Sequence, residues 1–410
     1  MHSDALFLKN CVFYAKIINL PMEIASKQWK QQLQYALQGR DYQTLITTTS
    51  EGIPILPFYT EEHVGEPFTI KGRSRVGVHL FCSDPELTLQ RMQEFHNSGV
   101  DLFLVTLIAP CTYEQLPEQL RIEGVQVLWT PDPLIDAFRR GILPPNTLRT
   151  DLPSPLQLNA TLYREAGASL THQMAYALAQ IKEYETDNDT ADIYLRVAVG
   201  EALLLEIAAL RALRKLLCEQ FPKRRTHIVA EVLQRRLTLV RSNYNKDYIS
   251  LAYEAAALGQ ADFIITQTSD FYRYKNEMKE HTQIQNLLSI IKKSSVGFIN
   301  EAYSVQALTK EIYHTVSLKY EHIQSQGGLL NFYQKEQLQW EIKRQNNREQ
   351  QEFDAQLIEA GITPENTHIY GEEHWNLYPF TKKLNAITKF FPLIPKRLWQ
   401  NFELTSIKRA

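Results

Sequence analysis

A chain of 410 residues with 44% hydrophobic content carries enough apolar material for one large core, and a net charge of −2 leaves no basic excess to hold nucleic acid. No apolar run approaches the ~20 residues needed to cross a bilayer. Cys11, Cys82, Cys111 and Cys218 show neither CxxC nor metal-ligand spacing, so a reducing, cytoplasmic setting with no membrane partner is expected.

The apolar stretch 5–20 is interrupted by Lys9 and Lys16 and precedes no small-residue cleavage site, so it reads as a buried or partner-facing arm and not as an export signal. Ser26 can cap a helix that places Trp29, Leu33 and Leu37 on one side and stops at Gly39. In EGIPILPFYTEEH (51–63), Pro54 and Pro57 forbid a central strand and favour an extended arm against another surface. From about 75 to 300 strand and helix alternate. The predicted strands are 76–82, 102–108, 125–129, 156–162, 193–199, 227–233, 262–266 and 295–299. Amphipathic helical stretches lie between most of them. In 83–99, Ser83 or Asp84 is the cap, Pro85 opens the first turn and Gly99 is the stop. The seventh connection, 271–288, repeats the step from strand to helix. Eight such units predict an α/β fold, a TIM-type (β/α)8 barrel with an N-terminal arm and a C-terminal helical extension. The last third contributes a long helix (301–328) ended by Gly327 and Gly328, then a charged, Gln-rich helix (334–360) whose narrow apolar stripe includes Leu338 and Ile342. An aromatic and basic tail follows from 369. The expected division is 1–70 for the arm, 71–330 for the barrel and 331–410 for the extension.

Spacing supplies no active site. There is no Walker loop, no GxGxxG after a strand and no HExxH. Glu372, Glu373 and His374 are adjacent, and three consecutive residues cannot all face one metal. His79, on the first barrel strand, reads as a satisfied structural histidine, and His172 as solvent-facing on a helix. Arg211, Arg214 and Lys215 sit where cations favour a helix C-terminus. Lys223, Arg224 and Arg225 could meet a phosphate, and Arg235 and Arg236 carboxylates across an interface.

The run EAGASLTHQMAYALAQIKEY (165–184) and the later AVGEALLLEIAALRALRKLL (198–217) resemble the centre of the substrate barrel of methylmalonyl-CoA mutases. In catalytic subunits of that family a Tyr-His pair precedes the Glu-Ala-Gly-Ala run; here the aligned positions are Thr161 and Leu162. Leucine can neither donate a hydrogen bond to a thioester carbonyl nor exchange a proton with it. An Arg-Gln-Tyr run on the first strand aligns with Gly77, Val78 and His79, and the expected Asp-Pro-x-Gly-Gly-Ser-Tyr-Tyr run has become GFINEAYS (297–304). His79, Thr161 and Leu162 are therefore vestigial positions, and no catalytic, cofactor-binding or metal-binding residue is expected in this chain. The segments 29–42, 51–63 and 234–245 resemble those of the small, non-catalytic (beta) subunit. There the first two form an arm that embraces the large subunit, which makes Trp29, Phe58 and Tyr59 the expected partner interface.

The resemblance implies adenosylcobalamin in the holoenzyme, held by the large subunit. No Asp-x-His-x-x-Gly run is present, so none is expected on this chain. The stretch 392–404 resembles the segment before the cobalamin-binding domain, which suggests a short form lacking that domain. The implied function is the small subunit of a heterodimer that interconverts methylmalonyl-CoA and succinyl-CoA in propionate metabolism. This chain itself would be inactive and would not bind an acyl-CoA. The alternative is a diverged mutase-like barrel that binds an acyl-CoA or a different protein partner.

Overall fold

A computed structural model describes residues 29, 31–38, 41–49, 51–65, 68, 72–108, 120–130, 132–144, 155–185, 191–240, 242–270, 277–294, 296–363 and 388–407. The expectations for 5–20, Ser26, Gly39, Cys11, Cys111, 271–276, Glu372, Glu373, His374 and the tail from 369 to 387 fall outside these residues. The chain divides into two compact units, Met1–Pro67 and Phe68–Ala410.

In the first unit, residues 31–36 are helical, and two short strands, β1 (Thr47–Thr48) and β2 (Pro54–Ile55), pair antiparallel across a turn where Gly52 adopts φ +81°. Pro54 occupies a two-strand edge, where its missing N–H costs no ladder bond.

The second unit is built on seven parallel strands, β3 (Arg75–Cys82), β4 (Val100–Leu107), β5 (Gln126–Thr130), β6 (Leu156–Asn159), β7 (Ile193–Val199), β8 (Thr226–Val232) and β9 (Phe263–Ile265). Their spatial order, β5-β4-β3-β9-β8-β7-β6, is a cyclic permutation of chain order, so the sheet curls into a nearly closed TIM-type barrel with helices around it. Between β5 and β6, which do not pair among the described residues, side chains join the edges. The Trp129 N–H donates to Gln157 Oε1 at 2.5 Å, and the Asn159 N–H to Asp132 Oδ2 at 2.8 Å.

The eighth expected strand, 295–299, is instead the helix Val296–Glu301. Five apolar-rich residues are too few to tell a strand from a buried helical turn by period. The strand expected over 156–162 stops at Asn159, because its Oδ1 accepts both the N–H and the hydroxyl of Thr161 at 3.0 and 2.7 Å and turns the chain into the helix Thr161–Glu165. The capping expectation for the helix Pro85–Asn97 holds, with Asp84 Oδ1 accepting from Glu86 N and Leu87 N.

Period-two alternation puts one face of every strand in the lumen. Leu102, Leu104, Leu128, Tyr194, Val229, Phe263 and Ile265 pack together there. Gly77 makes room for them, since a Cβ would lie 2.5 Å from Ile265 Cδ1. The other face, including Val76, Val78, Phe103, Val105, Leu195 and Val197, is buried. The helices Leu170–Tyr184, Leu203–Gln220 and Tyr303–Ser325 pack on one another. Gly327 (φ +93°) and Gly328 (φ +87°) redirect the chain after Ser325 into Gly328–Gln334, and the helix Gln337–Glu359 buries the expected stripe at Leu338 and Ile342, with Phe353 and Leu357.

Candidate functional site at the barrel mouth

Parallel barrels place their chemistry at the strand C-termini. At that end the lumen-facing positions change from apolar to polar: His79, Thr106, Asn159, Arg196 and Glu231 succeed the leucine and valine layer. Arg196 and Glu231 form a two-point ion pair, Nε–Oε1 2.5 Å and Nη2–Oε2 3.2 Å. His79 Nε2 lies 2.7 Å from Thr106 Oγ1, and the ring packs 4.8 Å from that of Phe81. This is the satisfied histidine that the sequence suggests. The sequence reading missed Arg196 and Glu231. Its only signal for them is a charge in the middle of each of two apolar strands, 35 residues apart.

Thr161 and Leu162 lie just past β6. Thr161 is tied to Asn159, and Leu162 is buried. Next to them is the Glu-Ala-Gly-Ala run. Gly167 holds φ +110°, and a Cβ on it would stand 2.5 Å from the Cβ of Asn346, so the Gln337–Glu359 helix rests directly on this glycine. Glu165 is half-buried, and desolvation of its carboxyl pushes it up to about 7 against the opposing help of a hydrogen bond from Gln234 N (2.8 Å) and the charge of Arg235. Arg164 pairs with Glu206 at two points and reaches the Ala198 carbonyl.

The arginines expected at an interface are used within the chain. Arg235, 1% exposed, binds Glu349 (2.7 Å), Asn346 Oδ1 (2.7 Å) and the Lys396 carbonyl, and Arg236 binds Glu201 (2.8 Å). The strap 393–399 continues across the same loops. Lys396 N donates to the Glu165 carbonyl, Leu398 N to the Arg235 carbonyl, and buried Arg397 pairs with buried Glu403.

Other expectations move. His172 is not solvent-facing: it lies against Ser169 and Lys319, because the Gln337–Glu359 helix packs over its position. Arg211 is buried and binds Asn300 and the Phe68 carbonyl, and Arg214 binds Asp262; both clip the barrel wall and are not merely answering a helix dipole. Lys223, Arg224 and Arg225 precede β8 and so sit at the N-terminal end of the barrel, away from the mouth. In the first unit Trp29 stacks on Phe58 (4.8 Å between centroids) and meets Tyr42 edge-on, while the Tyr59 hydroxyl accepts from Leu56 N. All three expected interface aromatics are half-buried.

Adenosylcobalamin is the cofactor that the resemblance implies, and the residues present do not fit it. The cradle at Gly167 is filled by Asn346, the nearby arginines are neutralised by carboxylates, and no aspartate in the chain has a histidine two places on to act as an oriented axial ligand. Among the described residues no cluster of three or more His, Cys, Asp or Glu could hold a metal ion, and no helix is long and apolar enough to cross a membrane.

No curated protein matches the chain. The family model for methylmalonyl-CoA mutase matches residues 153–360, about half the chain, from the strand before the Glu-Ala-Gly-Ala run to the end of the helix that rests on Gly167. With a parallel barrel and the mutase-like core inside that match, the chain belongs to the methylmalonyl-CoA mutase family.

Proposed function

We propose that this family member is a non-catalytic small subunit, a barrel that supports a catalytic mutase subunit while the interconversion of methylmalonyl-CoA and succinyl-CoA takes place in that partner. The contact of Asn346 with Gly167 carries the reading: the chain's own helix packs on the glycine of the Glu-Ala-Gly-Ala run, just past the C-terminal end of β6, the end at which parallel barrels hold their substrates. Leu162 supports it, since a buried leucine offers no proton and no hydrogen bond to a thioester carbonyl. Adenosylcobalamin and the radical chemistry it supplies then belong to the large subunit, in a heterodimer for which Trp29, Phe58 and Tyr59 are the proposed contact.

The test is co-expression with a catalytic mutase subunit. A stable complex is expected, together with no conversion of methylmalonyl-CoA by the isolated chain. Aromatic anchors contribute roughly 2 kcal/mol or more each to an interface, so Phe58→Ala with Tyr59→Ala should weaken co-purification. Near-ultraviolet circular dichroism of the isolated variant separates this loss from unpacking of the Trp29–Phe58 stack. Turnover by the chain alone would overturn the proposal.

One observation favours a second reading, a barrel that still takes an acyl-CoA: the polar ring of His79, Thr106, Asn159, Arg196 and Glu231. Calorimetric titration with succinyl-CoA decides between them. Micromolar binding to the isolated chain supports the second.

A further inference from the structure

In the outer helical layer, the helices Leu170–Tyr184, Tyr303–Ser325 and Gln337–Glu359 enclose an open cleft of about 290 Å³. Its walls carry Lys319, Arg344, His172, His322 and Glu341, with Leu318, Ile323 and the Tyr176 ring as the apolar part. The hydrogen bonds fix the state of His172. Lys319 Nζ lies 2.9 Å from Nε2, and an ammonium can only donate, so Nε2 carries the lone pair and Nδ1–H donates to Ser169 Oγ at 2.7 Å. The ring is neutral.

The cleft walls carry two cations, Lys319 and Arg344, and one carboxylate, Glu341. Glu341, the one carboxylate, is already engaged, its Oε2 accepting from the Tyr176 hydroxyl at 2.6 Å. Arg344 is exposed at the rim and makes no hydrogen bond or ion pair with the described residues. His172 reports the same potential: burial first, then the charges of Lys319 and Arg344, hold its imidazole down to about 3.

We propose that this three-helix cleft is a binding site for a small organic monoanion, a short-chain carboxylate whose head meets Arg344 and Lys319 and whose tail lies on Leu318, Ile323 and Tyr176. A planar guanidinium matches a carboxylate at two points. The apolar wall favours a ligand with a hydrocarbon tail over a bare inorganic anion, and Glu341 within the same walls disfavours a dianion. A volume at the low end of small-molecule sites limits the ligand to a few carbons. The inference is independent of the proposed subunit role, since none of these residues belongs to the barrel mouth.

The experiment follows the imidazole signals of His172 and His322 by NMR in the full chain during titration with sodium butyrate at constant ionic strength, with phosphate, butanol and butylammonium as comparators. Saturable shifts are expected with butyrate, weaker ones with phosphate and none that saturate with butanol or butylammonium. Bound butyrate should also raise the pKa of His172 by offsetting the two cations. Arg344→Gln, at an exposed position, should weaken butyrate about tenfold or more while the His172 signal of the free protein keeps its hydrogen-bonded position. A butyrate response that never saturates, equal affinity in Arg344→Gln, or tighter binding of butylammonium would each overturn the site.

Discussion

The barrel mouth and the three-helix cleft are both lined with arginine, histidine and glutamate, yet they use them in opposite ways. At the mouth the cations are consumed: Arg196 by Glu231, Arg235 by Glu349, Arg236 by Glu201 and Arg397 by Glu403. In the cleft, Arg344 is left over and a histidine is kept neutral beside a lysine. Charged residues at the expected end of a barrel are therefore no sign of a working site. What matters is whether their partners come from the chain or are left for a ligand to supply.

The largest test of this contrast is Arg397→Met. The pair with Glu403 is 2% exposed on each side, and removing one member leaves a buried, uncompensated carboxylate at a cost of about 3–5 kcal/mol. Urea denaturation should show it, and Arg397→Met with Glu403→Leu should recover most of the loss. If the double variant is as unstable as the single one, the pair does more than neutralise charge.

Acid should then separate the two regions by sign. His172 has a folded value of about 3, below its ordinary 6.5, so the unfolded chain takes up the proton first. Stability is lost as pH falls from 6.5 towards 3, by roughly 2–4 kcal/mol from this group. His172→Gln should flatten that limb of a stability-against-pH curve; an unchanged limb would count against a buried neutral ring. Glu165 works the other way. Its folded value of about 7 lies above 4.5, so the folded chain keeps the proton longer, and stability falls as pH rises from 4.5 to 7, by about 2–3 kcal/mol. Glu165→Gln keeps an acceptor for Gln234 N and should be more stable than the parent at pH 8 by about that amount.

The smallest effect concerns the rim itself. Gly167→Ala puts a methyl group against Asn346 at a positive φ and should cost about 1–3 kcal/mol. Asn346→Gly in the same chain should return the steric part and leave the backbone part. Strict additivity of the two substitutions, read by thermal melting, would show that the helix does not press on this glycine.

Much of the fold is written locally. Asp84 before Pro85, the glycine pair after Ser325 and the apolar strands on either side of Arg196 all speak through near neighbours. The misreadings arise where short range is not enough. The segment 295–299 is too brief to declare a period, and as a helix it buries Ile299 while leaving Phe298 73% exposed. The site is less legible than the scaffold. Leu162 can be noticed from sequence because a family pattern says what should stand there. That Arg235 meets Glu349, or that Asn346 rests on Gly167, depends on pairings between residues more than a hundred positions apart, which no spacing rule reports.

The seam between β5 and β6 has a further consequence. A cylinder closed all round by backbone ladders has no edge, whereas this one has two facing edges held by the carboxamide of Gln157 and the carboxylate of Asp132. Those two side chains occupy the donors that a strand from another molecule would otherwise seize. They serve at once as sutures and as guards, each withholding one edge donor from intermolecular strand addition.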